Sequence, residues 1–200
     1  MPSVCVPGQT GRLEFILWPQ DENNLYILRL RYENGRYLGN TYFGEPILNF
    51  VASGTSTLGQ ARYSEWSGGS GPTNLSCTNA GCTGVIDGTH SHFTTVVKPN
   101  GDEVLDGVLN FYRITMKKNK KNFSISTSGA GSLQMQRQKN GDFEGRAYYF
   151  TSDRIREFDA RLIGEGCMKD FKDDPLLMII LGAPLAVQDD RAGGVRETLP

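Results

Sequence analysis

Residues 25–39, with the sequence LYILRLRYENGRYLG, contain the pattern that decides the fold. Before the turn, hydrophobic and aromatic residues alternate with Arg29 and Arg31, as in a strand with one buried face. The dipeptide Asn34-Gly35 tolerates the positive φ angles of a type I′ turn, whose twist matches that of paired strands. The stretch therefore predicts a β-hairpin with its corner at Asn34-Gly35.

Two further Asn-Gly dipeptides, Asn100-Gly101 and Asn140-Gly141, lie between segments of the same alternating kind. Alternation over residues 12–18 and 154–163 predicts strands near both ends of the series. Together these segments predict an all-β fold, an antiparallel meander of about eight to ten strands. Because exposed sheet edges favour aggregation, we expect the meander to close into a barrel, with a two-sheet sandwich as the alternative.

Two segments depart from simple alternation. The apolar positions change parity within Val104–Lys117, near Phe111 and Tyr112, which predicts one long strand with a β-bulge. Residues 64–88 are rich in Gly, Ser and Asn. Such a long irregular segment predicts a loop at the rim of the barrel, where loops often carry function.

One short C-terminal helix is expected after the strands. Asp174 can cap its first turn, and Pro175 suits its first helical position. Gly182 followed by Pro184 predicts its end. Because the residues between are apolar all round, we expect the helix to be buried, over one mouth of the barrel or against its outer wall. A last buried strand is the alternative.

The composition indicates an ordinary globular protein. The chain has 200 residues, 38% hydrophobic and 22% charged, with a formal net charge of −1. We expect one β domain over residues 1–186, followed by a loose polar tail at 187–200. The near-neutral charge predicts no nucleic-acid partner. The longest apolar run, Leu176–Leu181, is far shorter than the roughly 20 residues of a transmembrane helix.

The four cysteines indicate the compartment. Cys77 and Cys82 lie close together, whereas Cys5 and Cys167 lie near the two ends of the predicted fold. This arrangement predicts the disulfides Cys5–Cys167 and Cys77–Cys82, although four cysteines allow three connectivities. Because disulfides persist in oxidising compartments, we expect a secreted, periplasmic or outer-surface protein in a mature form without its signal peptide. The alternative for Cys5 is a lipid anchor, which excludes a bond to Cys167.

A zinc site is the alternative interpretation of the second cysteine pair. His90 and His92 follow Cys77 and Cys82, and an extended segment places both imidazoles on one face. Two thiolates and two imidazoles would form a closed tetrahedral site. The two interpretations exclude each other because disulfide sulfurs do not bind zinc. No sequence pattern indicates a cofactor.

The abundance of aromatic residues predicts a ligand cavity. A barrel of eight or more strands can enclose a cavity lined by aromatic side chains and a few polar groups. Arginines that face inward would hold an anionic head group, and plain core packing is the alternative. The candidate ligand-binding residues are Arg29, Arg31, Tyr112, Arg146 and Tyr148.

Three classes of function follow. The first is an extracytoplasmic binding protein for a small apolar or amphipathic ligand, similar to lipocalin-type barrels in architecture only, since Leu17-Trp18-Pro19 does not match their Gly-x-Trp start. The second is a surface interaction or adhesion module that contacts a protein partner through residues 64–88. The third is a hydrolase with an unidentified site, for which no Gly-x-Ser-x-Gly motif gives support. We expect the lysine-rich run 117–121 to be a solvated turn.

Overall fold

The structure of the protein is a computed structural model. It describes residues 5–19, 26–40, 46–53, 56–61, 71–78, 80–86, 89–109, 112–128, 131–150 and 155–186. The predicted tail at 187–200 lies outside these residues, and the assignment of 1–186 to one domain stays a prediction.

Within the described residues the chain forms fourteen strands and one α-helix. The first seven strands are β1 Gly11–Pro19, β2 Tyr26–Glu33, β3 Arg36–Asn40, β4 Pro46–Ser53, β5 Ser56–Ala61, β6 Gly71–Thr78 and β7 Gly81–Ile86. The next seven are β8 Thr89–Val97, β9 Glu103–Leu109, β10 Tyr112–Lys118, β11 Asn122–Thr127, β12 Gly131–Arg137, β13 Phe143–Phe150 and β14 Ile155–Gly166. A 3-10 helix at Phe171–Asp173 precedes helix α1, Pro175–Ala186.

All neighbouring strands pair antiparallel in sequence order, as the hairpin pattern predicts. Strand β1 pairs with β2 on one side and with β14 on the other, with Phe15 opposite both Leu28 and Leu162. Strand β1 therefore has a paired neighbour on both sides. Fourteen strands exceed the predicted eight to ten for three reasons: one predicted strand is two strands, a predicted loop forms two more, and β5 lies in a segment for which no strand was predicted.

The first of these corrections concerns Val104–Lys117. The segment forms two strands, β9 and β10, and Tyr112 pairs with Leu109 across them. The change of parity marks a tight reversal of the chain and not a bulge. The prediction of one long strand was wrong because a turn and a bulge shift the alternation in the same way.

The second correction concerns the predicted rim loop at 64–88. Its described part forms β6 and β7, which pair with Cys77 opposite Cys82. Gly81 and Gly84 both have φ near +140°. A Cβ at Gly84 would lie 2.0 Å from the backbone oxygen of Asn74. Glycine here permits close approach of two strands, so its abundance did not indicate a loop.

All three Asn-Gly dipeptides join paired strands, which confirms the predicted corners. Asn34 and Gly35 both have positive φ, at 50° and 75°, as a type I′ turn requires. At the other two corners only the glycines have positive φ. There the asparagine side chains accept hydrogen bonds from backbone N–H groups two residues on, for example from Asp102 to Asn100 at 3.1 Å. Those two turns therefore differ from the predicted type I′.

The core lies on one face of the sheet. The residues that belong to the hydrophobic core are Leu13, Phe15 and Leu17 in β1, and Phe158, Ala160 and Leu162 in β14. These are the inward positions that the alternation predicts. At one end of the sheet Phe123, Phe143 and Phe171 form an edge-to-face cluster with ring centroids 5.2–5.4 Å apart.

Helix α1 packs on this same apolar face. It contacts β6, β7, β9, β10, β11 and β12, and Leu176, Leu177, Met178, Ile179 and Leu181 are all buried. The buried Asp174 caps it by accepting a hydrogen bond from the N–H of Leu176 at 2.9 Å. The predicted start is confirmed. The outer-wall location is wrong because only the core face can bury a helix that is apolar all round.

The predicted end of α1 is also wrong, since the helix continues to Ala186 through Gly182 and Pro184. Packing against several strands outweighs the low helical propensity of these two residues. A Cβ at Gly182 would lie 2.7 Å from the tip of Met116. Glycine therefore lets the helix approach β10 closely. No helix in the described part of the chain has the length and apolarity needed to cross a bilayer.

Candidate functional site

The two predicted disulfides are present. Cys5 is bonded to Cys167 and Cys77 to Cys82. The bond between Cys5 and Cys167 removes the lipid-anchor alternative, which needs a separate Cys5 thiol. It also ties the segment before β1 to the turn that leads from β14 towards α1.

The zinc alternative is wrong. Cys77 and Cys82 are buried on the core face of the sheet, whereas His90 and His92 are exposed on its other face. Side chains on opposite faces of a strand cannot converge on one metal ion. Among the described residues, no group of three or more His, Cys, Asp and Glu side chains has an arrangement that could hold a metal ion.

The candidate ligand-binding arginines do not face inward. Arg29 and Arg31 are exposed between the buried residues Leu28, Leu30 and Tyr32. Arg29 donates to Glu14 at 3.0 Å, and Arg31 lies 3.4 Å from Glu33. They form ion pairs on the outer face. They therefore cannot hold the anionic head group of a ligand in the interior, as predicted for inward-facing arginines. Tyr112 is half-buried against the core.

Arg146 and Tyr148 come together on the outer face, where they help to line a groove of about 620 Å³ across β10–β13. The groove lies over the side of these strands that points away from the core. The residues most important to its chemistry are Ser124, Gln134, Gln136, Glu144, Arg146 and Tyr148.

The strand register explains how these side chains meet. Gln134 lies opposite Ser124 on one neighbouring strand and opposite Arg146 on the other. In the next row Gln136 lies opposite Glu144. Because side chains alternate along each strand, these positions project from the same face and lie about 5 Å from their cross-strand partners. The result is a grid of polar groups on a rigid sheet.

One side of the groove carries the guanidinium of Arg146, which is held by carboxylates of β14. The Arg146 guanidinium donates to Glu157 at 2.6 Å and lies 3.9 Å from Asp159. A hydrogen bond with Tyr148 and the charge of Glu157 hold the pKa of Arg146 above its ordinary value. The contacts of Arg146 with Glu157 and Tyr148 therefore orient the guanidinium and the Tyr148 ring beside the groove.

The floor of the groove contrasts with this side. Within the described residues, the side-chain amides of Gln134 and Gln136 and the hydroxyl of Ser124 make no hydrogen bond to another protein group. Each amide offers two donors and an acceptor, and a hydroxyl offers both roles. These groups are available to a polar ligand without first breaking an internal contact.

A glycine shapes the floor. A Cβ at Gly145 would lie 1.8 Å from the backbone oxygen of Gln134 and 2.9 Å from the Cα of Met135. Strands β12 and β13 therefore approach each other at a position that only glycine can occupy. This close approach holds the Gln134 and Arg146 rows in place.

Sequence reasoning identified Arg146 and Tyr148 but missed the glutamines and Ser124. The alternation of Leu133, Gln134, Met135 and Gln136 does place the glutamines on a polar face. It does not tell which strands lie beside β12, and a polar face is ordinarily only a solvated one. Comparison with family models, curated proteins and solved structures gives no match to this chain.

Proposed function

We propose that the protein is an extracytoplasmic β-barrel binding module that holds a hydroxyl-rich ligand, an oligosaccharide, in the groove on its outer wall. The observation that carries the proposal is the rigid row of unpaired amide and hydroxyl groups beside Arg146 and Tyr148. Sugar hydroxyls both donate and accept hydrogen bonds, as amides do. The half-buried Tyr148 ring adds an apolar surface for a sugar ring.

Closure into a barrel, and not a sandwich, is supported by the pairing of β1 with both β2 and β14. It is further supported by α1, which contacts β6 and β7 as well as β10–β12 from the apolar face. A barrel leaves no exposed strand edge and gives the outer wall a fixed curvature.

The extracytoplasmic location is supported by the two disulfides, since such bonds persist outside the reducing cytosol. A small apolar ligand in the interior has less support than a polar ligand on the wall, because α1 already packs on the apolar face. Adhesion through 64–88 and hydrolysis remain predictions without a supporting contact.

The test is a chemical-shift titration of the labelled protein with neutral oligomers of glucose, mannose and galactose. We expect shifts confined to β11–β13 for at least one oligomer. The double substitution Gln134→Ala with Gln136→Ala should weaken its affinity about thirtyfold, since two hydrogen bonds of about 1 kcal/mol each are removed.

The matched control is His90→Ala with His92→Ala, which also changes two exposed polar residues two positions apart on one strand. This control should leave the affinity unchanged. The proposal fails when no oligomer shifts the groove resonances, or when both double variants bind equally well.

A further inference from the structure

A group of lysines borders one end of the groove. Three neighbouring hairpins meet there, β8–β9, β10–β11 and β12–β13. Their exposed lysines, called here the lysine border, are Lys98, Lys117, Lys120, Lys121 and Lys139. Lys117 lines the groove itself, as does Asp102 from the turn that contains Lys98.

The hairpins of the lysine border are joined by a backbone hydrogen bond and by an ion pair. The N–H of Arg137 donates to the carbonyl of Lys121 at 2.7 Å, which joins the second hairpin to the third. Lys118 lies 3.0 Å from Glu103, which joins the second to the first. The five lysines therefore lie on one continuous end of the sheet and not on separate mobile tips.

The lysine border has no acidic partners. Within the described residues, none of the five ammonium groups lies within 4 Å of a carboxylate. Three nearby acids are paired with other cations: Asp142 with Arg161, Asp170 with Arg137, and Glu103 with Lys118. Among the described residues Asp102 has no cation within 4 Å and offsets one lysine. A local excess of positive charge remains, although the chain as a whole carries −1.

We propose, on the basis of the proposed function, that the ligand is a sulfated polysaccharide whose sugar rings lie in the groove and whose sulfate groups lie on the lysine border. Clustered lysines bind polyanions by charge. Lysine is a point charge, whereas recognition of planar carboxylates favours the two-pronged geometry of arginine. The cations of these hairpins without an acidic partner among the described residues are lysines, whereas Arg137 of the third hairpin is paired with Asp170. This favours sulfate esters over uronic acids.

The groove favours a polysaccharide over a nucleic acid. Binding of single strands ordinarily depends on several exposed aromatic rings on which bases stack. Among the described lining residues the aromatic side chains are Tyr148, which is half-buried, and Phe123, which is buried. The groove instead has amide and hydroxyl groups, which can exchange hydrogen bonds with the hydroxyls of a sugar.

The experiment compares dextran sulfate with uncharged dextran of the same length by calorimetry. We expect dextran sulfate to bind at least about tenfold more tightly and the advantage to shrink as salt rises, because exposed charges are screened. The triple substitution Lys98→Gln, Lys120→Gln and Lys121→Gln, at border lysines that do not line the groove, should remove most of this advantage. It should leave binding of the neutral oligomer unchanged.

The control removes the same charge away from the groove, by Arg29→Gln, Arg31→Gln and Lys169→Gln. Because these residues line no part of the groove, affinity should change by less than about threefold. A circular dichroism melt of each variant verifies that it folds.

The outcomes separate this inference from the proposed function. When neutral oligomers bind in the groove but sulfate adds nothing, the inference is overturned and the function stands. When neutral oligomers do not bind, and dextran sulfate binding needs the lysines but not Gln134 and Gln136, both are overturned, because the contact is purely ionic. Equal binding of polygalacturonate or of duplex DNA at matched charge would overturn the assignment to sulfated polysaccharide.

Discussion

The two faces of the sheet differ in chemistry, although the same strands form both. The inner face buries long apolar side chains against α1, and Leu177 has 0% of its surface exposed. The outer face carries ion pairs and unpaired amides, as at Arg146 and Gln134. Because neighbouring residues on a strand point to opposite faces, the outer groove can vary chemically without disturbing the core.

The difference lies in how tightly each face constrains its residues. On the inner face a change of one side chain leaves a cavity or an overlap. On the outer face a side chain can move into solvent. Stability should therefore depend mainly on the inner face, and ligand choice mainly on the outer face.

The largest effect is expected from Leu177→Ala in α1. Removal of a fully buried leucine side chain should lower the free energy of unfolding by about 2–5 kcal/mol. The matched outer-face control is Val96→Ala, since Val96 is 56% exposed, and it should change stability by less than about 0.5 kcal/mol. Urea denaturation of both variants measures the difference. Similar losses at the two positions would break the distinction between the faces.

An intermediate effect is expected from Gly145→Ala. The new methyl group would collide with the Gln134 backbone, which cannot swing away, so a loss of about 1–3 kcal/mol is expected. Gly182→Ala is the control, because its methyl group would meet only the flexible tip of Met116. Thermal denaturation should show a clear loss for the first variant and little change for the second. A larger loss of stability for Gly182→Ala than for Gly145→Ala would show that the tighter contact lies between α1 and β10.

The smallest effect is expected on the outer face at Asp106. Hydrogen bonds from Arg113, at 2.6 Å, and from Thr115, at 2.7 Å, lower the pKa of Asp106 below its ordinary value of 3.8. Since the pKa is lower in the folded state, the stabilisation is present above pH 3.8 and is lost as the pH falls through the folded-state pKa. At pH 7 Asp106→Asn should therefore cost about 0.5–1 kcal/mol.

Urea denaturation of wild type and Asp106→Asn over a range of pH measures this effect. The gap between the two should close in acid. A gap of constant size down to about pH 2 would show that the carboxylate charge contributes nothing.

Much of the fold was predictable from local patterns. The alternation in residues 12–18 and 154–163 places the buried residues of β1 and β14 correctly. The Asn-Gly dipeptides mark three hairpins, and Asp174 caps α1. These features depend on residues close together in the chain, so a short stretch of sequence contains the whole physical cause.

The candidate site was predictable only in part. Arg146 and Tyr148 were identified, but for an inward location that the structure does not give them. Gln134 and Gln136 were not identified, because an exposed amide has no distinctive pattern of its own. The groove arises from the register of four strands, and register is fixed by turns and bulges that shift it by single residues.

The sequence by itself determined the antiparallel hairpins, the inward positions of several strands and the start of α1, and it predicted the two cysteine pairs from among three connectivities. Only the tertiary structure decided that β9 and β10 are separate strands, that β6 and β7 replace a loop, and that α1 continues past Gly182 and Pro184. The physical reason is the separation in sequence between the residues that interact. Alternation and capping act between residues a few positions apart, whereas burial of a helix and the meeting of side chains on a wall depend on segments distant in the chain.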